Sequence, residues 1–217
     1  MRSLRDALGQ FATGVAVVTT ATASGERAGV TVNSFSSVSL DPPLVLWCLS
    51  ERAPSAPVFL RAGRFAVNIL AAGQDELSRR FATPAPDKFA GVDVLATPTG
   101  LPMLAGTLAT FSCRTVTVHA GGDHHIFVGE VEHHQRSGGE PLLFHCGRYR
   151  EFASFRDGEE RTGPFRLPEA RHHGLRGPGR RDVSRRQGSG PRGRDPVETL
   201  LLGDVEQPSA VGFDDPL

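Results

Sequence analysis

Residues 31–50 read TVNSFSSVSLDPPLVLWCLS: a β-branched start, a run of hydroxyls, a Pro pair at 42–43 and then an apolar stretch. The last part, LVLWCLS (44–50), has the length and the β-branched and aromatic content of a strand, and the Pro pair keeps any helix from running into it. The first part closes a preceding strand, ERAGVTV (26–32), and leads into Asn33 and the serines. Those residues gather a carboxamide, several hydroxyls and backbone N–H groups in a small volume, a set that suits a phosphate and a polar heterocycle. A Ser-rich turn that satisfies its own backbone has the same composition.

Outward from this stretch the punctuation repeats. GVAVVTTAT (14–22) and ERAGVTV flank the turn-forming Ala23, Ser24 and Gly25 and predict a hairpin. RFAVNIL (64–70) predicts another strand, with a short helix before it that carries Val58, Phe59 and Leu60. QDELSRRFA (74–82) predicts a second helix, whose Asp75 and Glu76 complement the dipole rather than form a catalytic pair. TLATFSCRTVTVHA (107–120), HHIFVGEVEHHQR (124–136) and PLLFHC (141–146) are further strands, and Trp47 is expected in the core. At the start, Leu4, Leu8, Phe11 and Ala12 fall at helical spacing with Ser3 as N-cap, so residues 3–12 predict a short helix. Turn signals every eight to twelve residues are the rhythm of a β-rich barrel or sandwich.

That rhythm stops near residue 156. Residues 157–217 hold 10 Gly and 7 Pro, and GLRGPGRRDVSRRQGSGPRGRDP (174–196) has hardly a side chain to bury. The expected organisation is one domain, 1–156, and a low-complexity, disordered tail, 157–217. With 10 Arg against 11 acidic residues the tail is not a basic arm. Over the 217 residues, Lys+Arg 24 balance Asp+Glu 24, which removes the electrostatic footprint of nucleic-acid or anionic-membrane binding. No segment approaches a membrane span and no leader is visible, so a soluble, cytoplasmic protein is expected. Cys48, Cys113 and Cys146 are an odd number in three apolar segments, which fits a reducing compartment and small buried hydrophobes. Lys88 is the sole lysine beside 23 arginines, a skew that reads as coding bias.

GxGxxG after a strand, GxxxxGK[ST], GxSxG, HExxH and CxxC are all missing, so the common nucleotide-binding, hydrolase and zinc readings lose their main support. In GGDHHIFVGEVE (121–132), strand alternation puts His124, Ile126, Val128 and Glu130 on one face and His125, Phe127, Gly129 and Val131 on the other. Only one of the adjacent histidines can face a given site. A neutral imidazole there can hold a carboxamide or phosphate, and a surface histidine at a strand start looks the same. The pairs at 124/125 and 133/134 lack a carboxylate or Cys at ligand spacing, so no metal site is expected.

FATGVAVVTT, TVNSFSSVSLDPPLVLWCLS, FAVNIL, LSRRFA, GGDHHIFVGEVE and PLLFHCGRYREF, in this order and spacing, resemble the flavin reductase family that supplies reduced flavin to two-component monooxygenases. The resemblance covers roughly residues 3–155. It implies a mainly β fold, a Greek-key-like split β-barrel with a few short helices. It also implies bound FMN or FAD, NADH or NADPH as hydride donor, a homodimer with each flavin near the subunit interface, and a separate flavin-dependent monooxygenase as recipient. By the same resemblance Thr31, Val32, Asn33 and Ser34 contact the isoalloxazine edge through side-chain or backbone groups. Ser36, Ser37 and Ser39 lie near the ribityl chain and phosphate, and Cys48, Leu49 and Ser50 run along the flavin. Ser55 opens a helix whose N–H groups help bind phosphate. Arg80 and Phe81 lie near the flavin, His124 positions the nicotinamide, and Tyr149 belongs to the same mouth. Hydride then passes from nicotinamide C4 to flavin N5 with no general base.

Two other readings keep the flavin: a carrier or redox sensor without rapid turnover, or another split-barrel flavin oxidoreductase. Nothing after Phe155 resembles the family. A genuine extension and a reading-frame change in a GC-rich gene both yield such text, and the frame change is the favoured explanation.

Overall fold

A computed structural model of the chain describes residues 2–95, 97 and 99–151. The tail expected at 157–217 lies outside the described residues. After α1 (Arg2–Leu8) come β1 (Thr13–Gly14) and the hairpin of β2 (Ala16–Ala21) and β3 (Arg27–Val32). β4 (Ser36–Leu40), β5 (Pro43–Ser50), α2 (Ala56–Ala62), β6 (Arg64–Ile69) and α3 (Asp75–Ala82) follow. The rest is β7 (Val94–Leu95), β8 (Met103–Leu104), the long β9 (Ala109–Gly121) and β10 (His124–Arg136), then β11 (Leu143–His145) and β12 (Arg148–Arg150).

Seven strands form one antiparallel sheet in the order β3-β2-β6-β9-β10-β5-β4, so the fold is mainly β, as expected. The sheet curls so that side chains of β3 and of β5 share one core. Cys48 N–H of β5 donates to Ser34 Oγ at 2.9 Å, and the same hydroxyl donates to Cys48 O at 3.4 Å. These bonds carry the β4–β5 register, in which Ser36 pairs with Leu46, one step further, and among the described residues no ladder joins β3 to β5.

Inside the curl, Trp47 is fully buried, stacked on Phe127 at 4.6 Å and edge-on to Phe59 and Phe65. Such ring pairs add about 0.5–1.5 kcal/mol each beyond the area they bury. A second core lies under α3, with Phe81, Phe89, Leu104, Leu142 and Phe144. Gly29 of β3 belongs to it by subtraction: a Cβ there would stand 2.5 Å from the Phe81 ring.

The structure corrects three local expectations and adds one element. The hydroxyl-rich stretch is itself a strand, β4, paired with β5 through an irregularity between Ser37 and Ser39. The N-terminal helix ends at Leu8, and Leu4, Leu8 and Phe11 face outward, 64%, 59% and 79% exposed. GRYR forms a short hairpin strand, β12, beside β11. Of the cysteines only Cys113 is fully buried; Cys48 is half-buried, and Cys146 is exposed at φ 50°, in the turn between β11 and β12.

Candidate functional site

Along β5, Val45, Trp47 and Leu49 point into the core and Leu44, Leu46, Cys48 and Ser50 lie half-buried on the other face. The register with β10 sets His124 opposite Ser50, and Ile126 opposite Cys48. His124 therefore shares a face with Cys48 and Ser50. His125 pairs with buried Leu49, and its ring lies edge-on to Phe127 at 6.3 Å. The two histidines are thus separated as strand alternation predicts. His124 Nδ1 sits 2.7 Å from Asp123 Oδ1, and the contact holds the Asp123 carboxyl below its ordinary range. A carboxylate at Nδ1 favours the tautomer with the proton there, which leaves Nε2 as an acceptor. Glu51 N–H donates to Asp123 O at 3.0 Å and pins this turn to the end of β5.

Residues 31–34 are clamped from both sides. Thr31 is buried, and its hydroxyl donates to Ser78 O of α3 at 2.6 Å. Val32 is buried in the main core. Ser34 is spent on Cys48, as above. Between the clamps Asn33 is half-buried, and its amide has no hydrogen-bond partner among the described residues. Of the polar side chains in this stretch, Asn33 is the one left to meet a ligand. Ser36 donates to Ser37 O at 3.1 Å and Ser39 accepts from Asp41 N–H at 3.2 Å, the behaviour of a turn satisfying itself; Ser37 is exposed on β4.

β5 leads through residues 51–54 into the lip of a cavity of about 640 Å³, between β3, the start of α2 and residues 82–89. That volume lies within the ordinary range for a small-molecule site, about 300–1,000 Å³. Arg27, Gly29, Ser55, Lys88 and Phe89 line it. The Ser55 hydroxyl makes no capping bond. The helix N–H groups expected at this phosphate have partners within the chain. Ala56 N–H is spent on Ala53 O, Pro57 has none, and Val58 and Phe59 N–H both go to Ser55 O. Lys88 lines the same cavity. Its Nζ donates to Phe81 O at 2.8 Å and Gly29 O at 3.3 Å, and burial lowers its pKa to about 8. The Arg27 guanidinium lies 4.8 Å from the Phe89 ring centroid at the same cavity.

The remaining candidates make contacts within the fold. Arg80 is exposed and donates to Ala90 O at 2.7 Å, tying residues 83–90 to α3. Phe81 is fully buried against Gly29 and Phe89. Tyr149 joins β12 to α3, donating to Ser78 Oγ at 2.8 Å, and is not on the strand pair that carries His124. Sequence reasoning missed Lys88 and Arg27. The signal for the first was present: a single lysine in a chain that otherwise uses arginine.

Residues 8–153 match the family described as flavin reductase like domain. The chain is 47% identical over 152 residues to FMN reductase (NADH) SmoA of Agrobacterium fabrum, covering 70% of this chain and 86% of that one. It is 44% identical over 148 residues to a probable flavin reductase of Rhizobium meliloti, of which it spans 48%, about half the length. Among solved structures, Streptomyces globisporus C-1027 NADH:FAD oxidoreductase SgcE6 in complex with NAD and FAD fragments is similar at a TM-score of 0.68 and 42% identity. That match covers 72% of this chain and 94% of that one.

Proposed function

The chain belongs to the flavin reductase like family, and from that premise we propose that it oxidises NADH, reduces FMN or FAD, and releases the reduced flavin to a separate flavin-dependent monooxygenase. The observation that carries this reading is Asn33, an unpartnered amide between two clamped hydroxyls, three residues after the part of the chain, 26–30, that lines the Lys88 cavity. Relatives named FMN reductase (NADH) and NADH-dependent flavin reductase support NADH as donor. Relatives named reductase subunits of flavin-dependent monooxygenases support the recipient.

The residues present fit a flavin. Its phosphate wants charge and neutral donors, which Lys88, Arg27 and the Ser55 hydroxyl supply. Its ring edge wants donors and acceptors, which Asn33 supplies. When bound, the flavin supplies the redox chemistry. The protein's part is to hold and orient: Asn33 and the backbone of 31–34 fix the ring, Lys88 and Ser55 the phosphate. His124 Nε2 accepts from the carboxamide N–H of the nicotinamide. No side chain has to move a proton.

A homodimer is part of this proposal. Leu40 at 93%, Val38 at 50% and Val116 at 48% exposure, with Leu4, Leu8 and Phe11, leave apolar surface that a second copy would cover. Among the described residues no helix is long and apolar enough to cross a membrane. The three unpaired thiols support a cytoplasmic site of action.

His124→Ala is expected to raise the KM for NADH about 3- to 10-fold, the worth of one hydrogen bond, and to leave the flavin KM unchanged. Steady-state kinetics with each substrate varied in turn will show it. An unchanged NADH KM removes His124 from the donor site.

A further inference from the structure

We infer that Tyr149 and Ser78 are positioning residues for the flavin-contacting stretch, acting through Thr31; the inference rests on the flavin reductase reading above. Tyr149 is the only tyrosine in the chain. Its ring is already held, edge-on to Phe144 at 5.6 Å and under the Arg79 guanidinium at 5.0 Å. A phenylalanine would pack the same way, so packing does not account for the hydroxyl. That hydroxyl donates to Ser78 Oγ at 2.8 Å, and the carbonyl of the same buried serine accepts the Thr31 hydroxyl at 2.6 Å.

Two short hydrogen bonds therefore run from β12 through one residue of α3 to β3, arriving two residues before Asn33. On the other side of Asn33, Ser34 is fixed to β5. Loosening Ser78 frees one of the two anchors that set where the Asn33 amide stands, and does so without touching ligand. Tyr149, expected at the nicotinamide mouth, is assigned this positioning role instead. It holds α3 in the register that makes the ring-binding segment rigid before flavin arrives, which reduces the ordering cost of binding.

The test is flavin titration and steady-state kinetics on the full chain with FMN. Tyr149→Phe is expected to raise the Kd and KM for FMN about 3- to 10-fold, with kcat and the KM for NADH within about twofold. Ser78→Ala should do the same, and the double variant should be no worse than either single one, because the bonds act in series. Thr31→Val should reproduce the loss, whereas Thr31→Ser, which keeps the hydroxyl, should restore affinity. FMN affinity unchanged in Tyr149→Phe, whatever its melting temperature, overturns the inference. So does an effect confined to the NADH KM, or additive losses in the double variant. A wild-type chain that binds no flavin overturns the underlying reading as well, which separates the two failures.

Discussion

Lys88 carries three protons when charged, and Gly29 O and Phe81 O take two of them, so one is left for an anion in the cavity. Its pKa, about 8 rather than 10.5, reflects burial. The sign for stability follows from linkage: between those two values the unfolded chain holds a proton that the folded chain has released. Folding is thus favoured as pH rises across that window, and the ammonium form is penalised below it. Anion binding runs the other way, because a phosphate needs the proton present. Flavin affinity should fall as pH rises through about 8, measured by titration from one unit below to one unit above. Lys88→Met should bind flavin about 10-fold or more weakly, the worth of a charge-assisted hydrogen bond, and lose that pH dependence. Equal affinity across the range in the wild type would remove Lys88 from the site. At this scale the sequence showed the residue types and not their partners. The hydroxyls at 31 and 34 read as ligand donors, and the fold spends both on the chain, because what faces a side chain across α3 or β5 is a tertiary fact.

Elements were more legible, since the period of two survives wherever one face is buried. β9 and β10 were predicted within a few residues, and the alternation that separated His124 from His125 holds in the register. β4 was hidden because serine has weak strand preference and both faces of that strand are largely exposed. The α1 stripe had the right spacing for an amphipathic helix but no core beneath it in a single chain. Gly29 shows what spacing cannot: a strand residue kept small by an aromatic ring from α3. Gly29→Ala should destabilise the fold by about 1–3 kcal/mol, since the Phe81 ring is wedged against Phe89 and must be forced aside. Denaturant unfolding measures it, and a variant as stable as the wild type would mean that the ring moves freely.

For the whole molecule, the sheet order brings the two ends of residues 31–50 back together. Ser34 and Cys48 lie 14 residues apart and extend the β4–β5 pairing, so the stretch that decides the fold also brackets Asn33. This economy explains why the resemblance was readable in sequence while the cavity was not: the motifs are local, and the cavity is assembled from β3, α2 and residues 82–89. We propose that the functional domain ends by residue 156, near the end of the family match at 153. The most direct measurement is NADH oxidation by the purified chain, and by a chain ending at residue 156, with and without added FMN or FAD. Flavin-dependent oxidation at similar rates in both is the predicted result. Tight flavin binding without NADH oxidation in either would contradict the account and leave a flavin carrier in its place.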